Sequence, residues 1–327
     1  MSSAGPERWI LLGSVLAAAW LFTRPQTPRR AEVEGRPTQL APALSALPPG
    51  AQVLARIDLT QVRKSALGAA LTGGGRELSG LGSLGEICGF DPTEQIRELA
   101  IAMPESGAEP ELGIVATGDF DADRIIGCVA KVITRRGGTP ALSRIGDFAS
   151  VRDRSRDGAE VAVRSGGPVM VGEGAYFRAM LDAADGRGPT LLGDEAHAAL
   201  REAVAGHGAI SLTFITRPGW LTRWVPQDEA SEAPLGAVRA GALRIDLDPQ
   251  PRATLLLSCP TPAACSELGK WTDQMATKAR AALAIDPVSE SKVDVDSAAV
   301  RLRIGFDPSK LQRALLSLLM EPASPDQ

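Results

Sequence analysis

The sequence predicts an α+β fold built from two repeated β-α-β-β-α-β-like (ferredoxin-like) units with largely antiparallel sheets, placed after an N-terminal transmembrane anchor. Three observations predict it. Short apolar runs that alternate with period two are interleaved with stretches of helical period. A glycine–aspartate turn recurs as Gly89-Phe90-Asp91-Pro92, Gly118-Asp119-Phe120-Asp121 and Gly305-Phe306-Asp307-Pro308. The two halves of the chain also present their strands and helices in nearly the same order.

The chain has 327 residues, enough for two domains once a tail is removed. Residues 1–22 form the anchor or signal segment, 23–50 a Pro/Arg/Ala-rich linker, 51–188 the first repeat, 189–322 the second and 323–327 a tail. The apolar run Trp9–Phe22 has fourteen positions and spans about 21 Å at ~1.5 Å per residue, short of the ~30 Å hydrocarbon core. That length suits a signal-peptide apolar region. Trp20 and Leu21 continue it beyond the A-x-A-like pair Ala17 and Ala19, and Trp9 and Trp20 sit near its ends as interfacial anchors would. An uncleaved single-pass anchor is therefore expected over a cleaved signal. Arg24, Arg29 and Arg30 outnumber Arg8 across the run, which by charge alone would hold the body in the cytoplasm. A lone apolar run ahead of a large domain favours export, so the expected location is the inner membrane with a periplasmic body; the cytoplasmic orientation stays open.

In the first half, Gln52–Leu59 alternates as a strand and Thr60 opens a helix to about Leu71. The glycine-rich stretch Thr72–Gly85 follows a helix and lacks a P-loop lysine, so it reads as a surface loop and not a phosphate cradle. Strands are expected at Gln95–Met103 and Glu111–Thr117. The helix Asp121–Thr134 carries the stripe Ile125, Cys128, Val129, Val132 and Ile133. Further strands fall at Asp147–Val151, Ala159–Arg164 and Pro168–Val171, and a helix at Ala175–Ala184. In the second half a helix capped by Asp194 precedes the strand Ala209–Ile215. Strands Val238–Leu247 and Ala253–Cys259, the helix Pro262–Leu283, the hairpin Lys292–Val295 with Val300–Phe306, and the helix Pro308–Met320 complete it. Alternating hairpin patterns imply antiparallel sheets with helices on one face.

Chemistry is sparsely signalled. A net charge of −4 and a pI near 5.5 argue against a nucleic-acid partner. Asp119, Asp121 and Asp123 match the start of a calcium loop, but Arg124 and Ala130 occupy the positions where such a loop needs glycine and glutamate. Helix capping is the expected role. His197 and His207 lack a companion ligand, Ser289-Glu-Ser-Lys292 enters a strand, and no metal or cofactor site is expected. Cys88, Cys128, Cys259 and Cys265 are open to disulfides or buried thiols, with no C-x-x-C spacing; Cys259 and Cys265 are placed to lie close together. Trp220 and Trp224, four apart, share one face of a short helix; they either fill the second core or form the candidate interaction surface.

The segments PPGAQVLARIDLTQVRKSALGAAL, GFDPTEQIRELAIAM and GIVATGDFDADRI resemble uncharacterised membrane-tethered envelope proteins of high-GC, myxobacteria-like bacteria that carry a domain of unknown function. That resemblance covers residues 47–134 best and implies an extracytoplasmic, tethered, non-catalytic protein. The expected function is a binding or scaffolding module with an envelope protein as partner. The alternative is an envelope hydrolase whose site is assembled from scattered acids and serines.

Overall fold

The computed structural model describes residues 42–65, 84–104, 111–155, 158–205, 208–217, 234–247, 251–282, 292–296 and 298–305. The described residues fall into two compact units. One holds residues 42–60 and 84–198, the other 61–65 and 199–305.

The first unit contains β1 (Ala51–Asp58), the start of α1 (Leu59–Lys64), α2 (Leu84–Cys88), β2 (Ile96–Pro104), β3 (Gly113–Gly118) and α3 (Ala122–Arg135). After these come β4 (Pro140–Ile145), β5 (Phe148–Asp153), β6 (Glu160–Val163), β7 (Val169–Gly172), α4 (Gly174–Ala184) and the start of α5 (Glu195–Ala203). Its seven strands lie in the order β1-β2-β3-β7-β6-β5-β4, and every neighbouring pair is antiparallel. Successive side chains on a strand point to opposite faces, and both faces of this sheet are apolar. On β2, Ala100 and Ala102 join one core while Leu99 and Ile101 face the other way. On β7, Met170 takes the first face and Val169 and Val171 the second.

The two faces are covered differently. Over the first, α4 packs Tyr176, Phe177, Met180 and Leu181 against Val115, Phe148 and Met170. A 3-10 turn at Ala43–Ala46 joins this core, with Ala43, Leu44, Ala46 and Leu47 all buried. Residues that composition assigned to the linker thus belong to the folded body, because the burial of these four apolar side chains outweighs the flanking prolines. The backbone of Leu191 donates to Leu47 O at 2.8 Å, and Ala43 N donates to Glu98 Oε2 at 3.1 Å. Over the second face lie α2 and α3. Helices therefore cover both faces, not one; the unbroken apolar run of β7 is the pattern of a strand buried on both sides.

The second unit contains β8 (Ile210–Ile215), β9 (Ala240–Asp246), β10 (Arg252–Ser258), α6 (Pro262–Ala282), β11 (Lys292–Val295) and β12 (Ala299–Gly305). Its five strands run β8-β9-β10-β12-β11, again antiparallel throughout. Val204, Ala242 and Leu256 form a small core with Leu200 and Ala299 packed on it. On β8, Ser211 and Thr213 are 3% and 2% exposed; on the other face Phe214 is buried while Ile210 and Leu212 are half-buried.

Strand order departs from the ferredoxin-like expectation in a defined way. A split β-α-β unit inserts a strand between the two that flank its helix. Around α6 this holds, since β12 lies between β10 and β11. Around α3 the gap widens to three strands, β7, β6 and β5. The opening strands do not split at all: β1 pairs directly with β2, and β8 with β9. The edge strand β4 has no counterpart in the sequence expectation. Its residues Pro140–Ile145 are mostly solvent-facing, with Leu142 66% exposed, so the alternation that marks a half-buried strand is missing.

Candidate functional site

Under α3 the second face of the first sheet is not filled. A partly open cavity of about 410 Å³ lies between helix and strands. Its floor is Ile96, Leu99 and Ile101 of β2, Ile114 and Ala116 of β3, Val169 and Val171 of β7, and Val161 of β6. Its roof is Ile125, Cys128, Val129 and Val132, the apolar stripe of α3, with Leu84, Pro92, Thr93 and Phe120 closing the ends. Floor side chains are mostly β-branched and short, which suits strand conformation but leaves space beneath a helix. Thr93 supplies the one side-chain hydroxyl in the lining, and that hydroxyl already donates to Asp91 Oδ1 at 2.6 Å.

The roof is fixed at several points. Cys88 and Cys128 form a disulfide that ties α2 to α3, where the sequence left thiol or disulfide open and favoured an inert buried thiol. Ile87 and both cysteines form a small cluster with Leu84, Phe90 and Val132 packed against it. The Arg124 guanidinium lies 4.2 Å from the centre of the Phe90 ring, a cation–π contact joining the recurrent turn to the helix. That turn works through its glycines and aspartates. Gly89 has φ +76°, which disfavours other residues, and a Cβ on Gly118 would stand 2.0 Å from the Gln95 carbonyl oxygen. Asp91 Oδ1 accepts from Thr93 N at 2.9 Å, and Asp121 Oδ1 from Arg124 N at 3.0 Å. Asp121 is thus the N-cap of α3, as the sequence predicted. Asp121→Ala is expected to cost about 1 kcal/mol in a urea unfolding experiment, and Asp121→Asn much less; equal losses would remove the capping account.

Polar groups elsewhere in the first unit are enclosed. Ser150 is 1% exposed; its Oγ donates to Glu160, lies 2.8 Å from Ser143 Oγ, and Glu160 is also paired with Arg178 at 3.2 Å. Serines and an acid do come together here, as the hydrolase alternative requires; burial closes Ser150 to a substrate, while Ser143 is exposed. His197 is fully buried; its Nε2 lies 2.8 Å from Ala51 O, tying the start of α5 to β1, and its backbone N–H donates to Asp194 Oδ1.

Tyr176, the chain's single tyrosine, is buried, and its hydroxyl has no hydrogen-bond partner among the described residues. Burial first, and the nearby Glu111 charge second, push its phenol above the ordinary value near 10. The unfolded chain releases this proton before the folded one. The associated stability is therefore complete below pH 10 and is lost as pH rises from there through the folded-state value, with a slope of up to about 1.4 kcal/mol per unit. Tyr176→Phe is expected to abolish that part of the alkaline slope and to hold or raise stability at pH 7, since the orphaned hydroxyl goes. Denaturant titrations of both proteins between pH 8 and 11 check it; parallel slopes would refute it.

Of the other sequence candidates, Cys259 and Cys265 are joined in a second disulfide, which links the end of β10 to the first turn of α6. Trp220, Trp224, His207, the helix expected at Pro308–Met320 and the anchor lie outside the described residues. Among the described residues no helix is long and apolar enough to cross a membrane, and no group of three or more His, Cys, Asp or Glu is placed to hold a metal ion. The cavity itself was not anticipated. Its signal was present in the alternation of Val161, Val169 and Val171 with Ala162 and Met170, apolar on both faces, but depth under a helix has no sequence signature.

Compared with known proteins, the chain matches no family model and no curated sequence. It is similar in fold to solved structures of the protein TP0453. Crystal form III aligns with a TM-score of 0.53 at 11% identity, covering 85% of this chain and 98% of that one. Crystal form IV aligns with a TM-score of 0.51 at 12% identity, covering 85% and 97%. At such identities the likeness shows the α+β fold with its large antiparallel sheets, and nothing about activity.

Proposed function

We propose that this chain is a membrane-tethered, non-catalytic binding module of the bacterial envelope, and that its binding site is the apolar cavity under α3. The size and lining of that cavity carry the reading. The cavity is partly open, so its 410 Å³ of apolar-lined space meets water, and leaving that surface wetted is unfavourable. A ligand that fills it offsets this. A concave, mostly apolar site of several hundred Å³ is also what small-molecule sites look like. Two disulfides support an oxidising compartment, hence export of the body. The apolar run Trp9–Phe22 supplies the tether to the inner membrane. The two units share a plan, a three-strand meander followed by a long helix and a strand that returns beside the third, which supports descent from one repeated unit.

The test uses the full chain held in a fluorinated surfactant, which does not mimic a hydrocarbon ligand. N-Phenyl-1-naphthylamine, whose fluorescence rises in apolar surroundings, should bind with one-to-one stoichiometry. Ala116→Phe places a ring in the cavity and is expected to weaken binding at least tenfold, while Leu142→Ser on the exposed edge strand leaves it unchanged. Equal binding by all three proteins would exclude the cavity as the site.

A further inference from the structure

We infer that the cavity takes a single linear aliphatic chain of about sixteen carbons, inserted tail first with its polar end left in water. This rests on the cavity being a ligand site at all, and adds to it the class of ligand.

Shape is the first argument. The floor crosses four adjacent strands, β2, β3, β7 and β6, which at ~4.8 Å per strand makes a slot about 14 Å long. The roof is one helix lying over it, and the floor also runs about 17 Å along β2 from Ile96 to Ile101, so a flexible chain that bends within it fits better than a rigid fused ring. Volume is the second. An engineered cavity of about 150 Å³ accepts benzene, with six carbons, so 410 Å³ scales to about sixteen. Chemistry is the third. No charged side chain lines the slot, and its one hydroxyl, on Thr93, is engaged by Asp91. A carboxylate or phosphate inside would lose its hydration with nothing in return, so the headgroup stays outside. Saturated carbons against Val, Ile and Leu need no directional partner. A free fatty acid and one acyl chain of a phospholipid share this chemistry.

The experiment is photocrosslinking with a palmitic acid carrying a terminal diazirine, using the full chain in fluorinated surfactant. Crosslinks are expected on peptides containing Leu99, Ile101, Ile114, Val129 and Val132. Unlabelled n-alkyl carboxylic acids of ten to eighteen carbons should compete with affinity rising about fourfold per methylene, as ~0.8 kcal/mol per buried CH₂ implies, and then level near sixteen. Ala116→Phe should move that plateau to shorter chains. A lysophospholipid and a diacyl phospholipid form the second arm. Competition by them as well as by the free acid assigns the source to membrane lipid; competition by the free acid alone assigns it to free fatty acid. Crosslinks outside the slot, competition independent of chain length, or equal competition by a sterol would overturn the inference. If naphthylamine binding survives while chain length has no effect, only the ligand class falls. If neither probe binds, the cavity as a ligand site falls with it.

Discussion

Replacing Cys88 and Cys128 together by serine is expected to destabilise the first unit by about 4 kcal/mol. The two cysteines are separated by 40 positions, and closing a loop of that length removes much of the unfolded chain's freedom. For a unit of this size the loss corresponds to a melting temperature about 8–16 °C lower. Calorimetry on the full chain under non-oxidising and oxidising conditions reads it, with Cys259→Ser/Cys265→Ser as the comparison. That second bond spans only 6 positions, so its removal should cost about 2 kcal/mol. The order of the two effects matters more than their sizes. If the short bond proves the more stabilising, the chain-entropy account is wrong here and native-state packing of α6 must carry the difference. Because the first disulfide holds α2 to the roof of the cavity, its removal should also loosen ligand binding, whereas removal of the second should not.

Phe177→Ala is expected to cost about 3–5 kcal/mol, as truncating a fully buried aromatic does. Phe177 is 1% exposed within the core that joins α4 to the first face of the sheet. Val132→Ala on the opposite face should cost only about 1 kcal/mol, because Val132 borders space that is already open and is itself half-buried. Urea unfolding of the two variants reads one sheet from both sides. Comparable losses would mean that the space under α3 is closed and packed in solution. The ligand-binding reading would not survive that result.

Much of the architecture was legible because it rests on local periodicity. Strands β1, β2, β3, β6 and β7 and helices α3, α4 and α6 lie within a few residues of their expected places, since each has an alternating or helical apolar pattern bounded by a glycine or a capping residue, Asp121 for α3 and Thr261 for α6. Asp121 and Asp194 could be assigned as caps from sequence because a cap is a contact between residues two or three apart. β4 was not legible, because an edge strand exposed to solvent has no apolar alternation to display. The burial of His197 was not legible, because its contact with Ala51 reaches 146 positions away in the chain.

The sequence by itself determined the alternation of strands and helices, the aspartate-capped turns, and an apolar stripe on α3 that had to face something. Tertiary structure alone decided what it faces. The pairings β1–β2, β3–β7 and β10–β12 and that of Cys88 with Cys128 depend on contacts between residues 40 or more positions apart. The cavity depends on them most of all. Its roof is an ordinary amphipathic helix and its floor an ordinary sheet buried on both faces, and the open volume exists only because α3 is held above short, β-branched side chains that do not reach it.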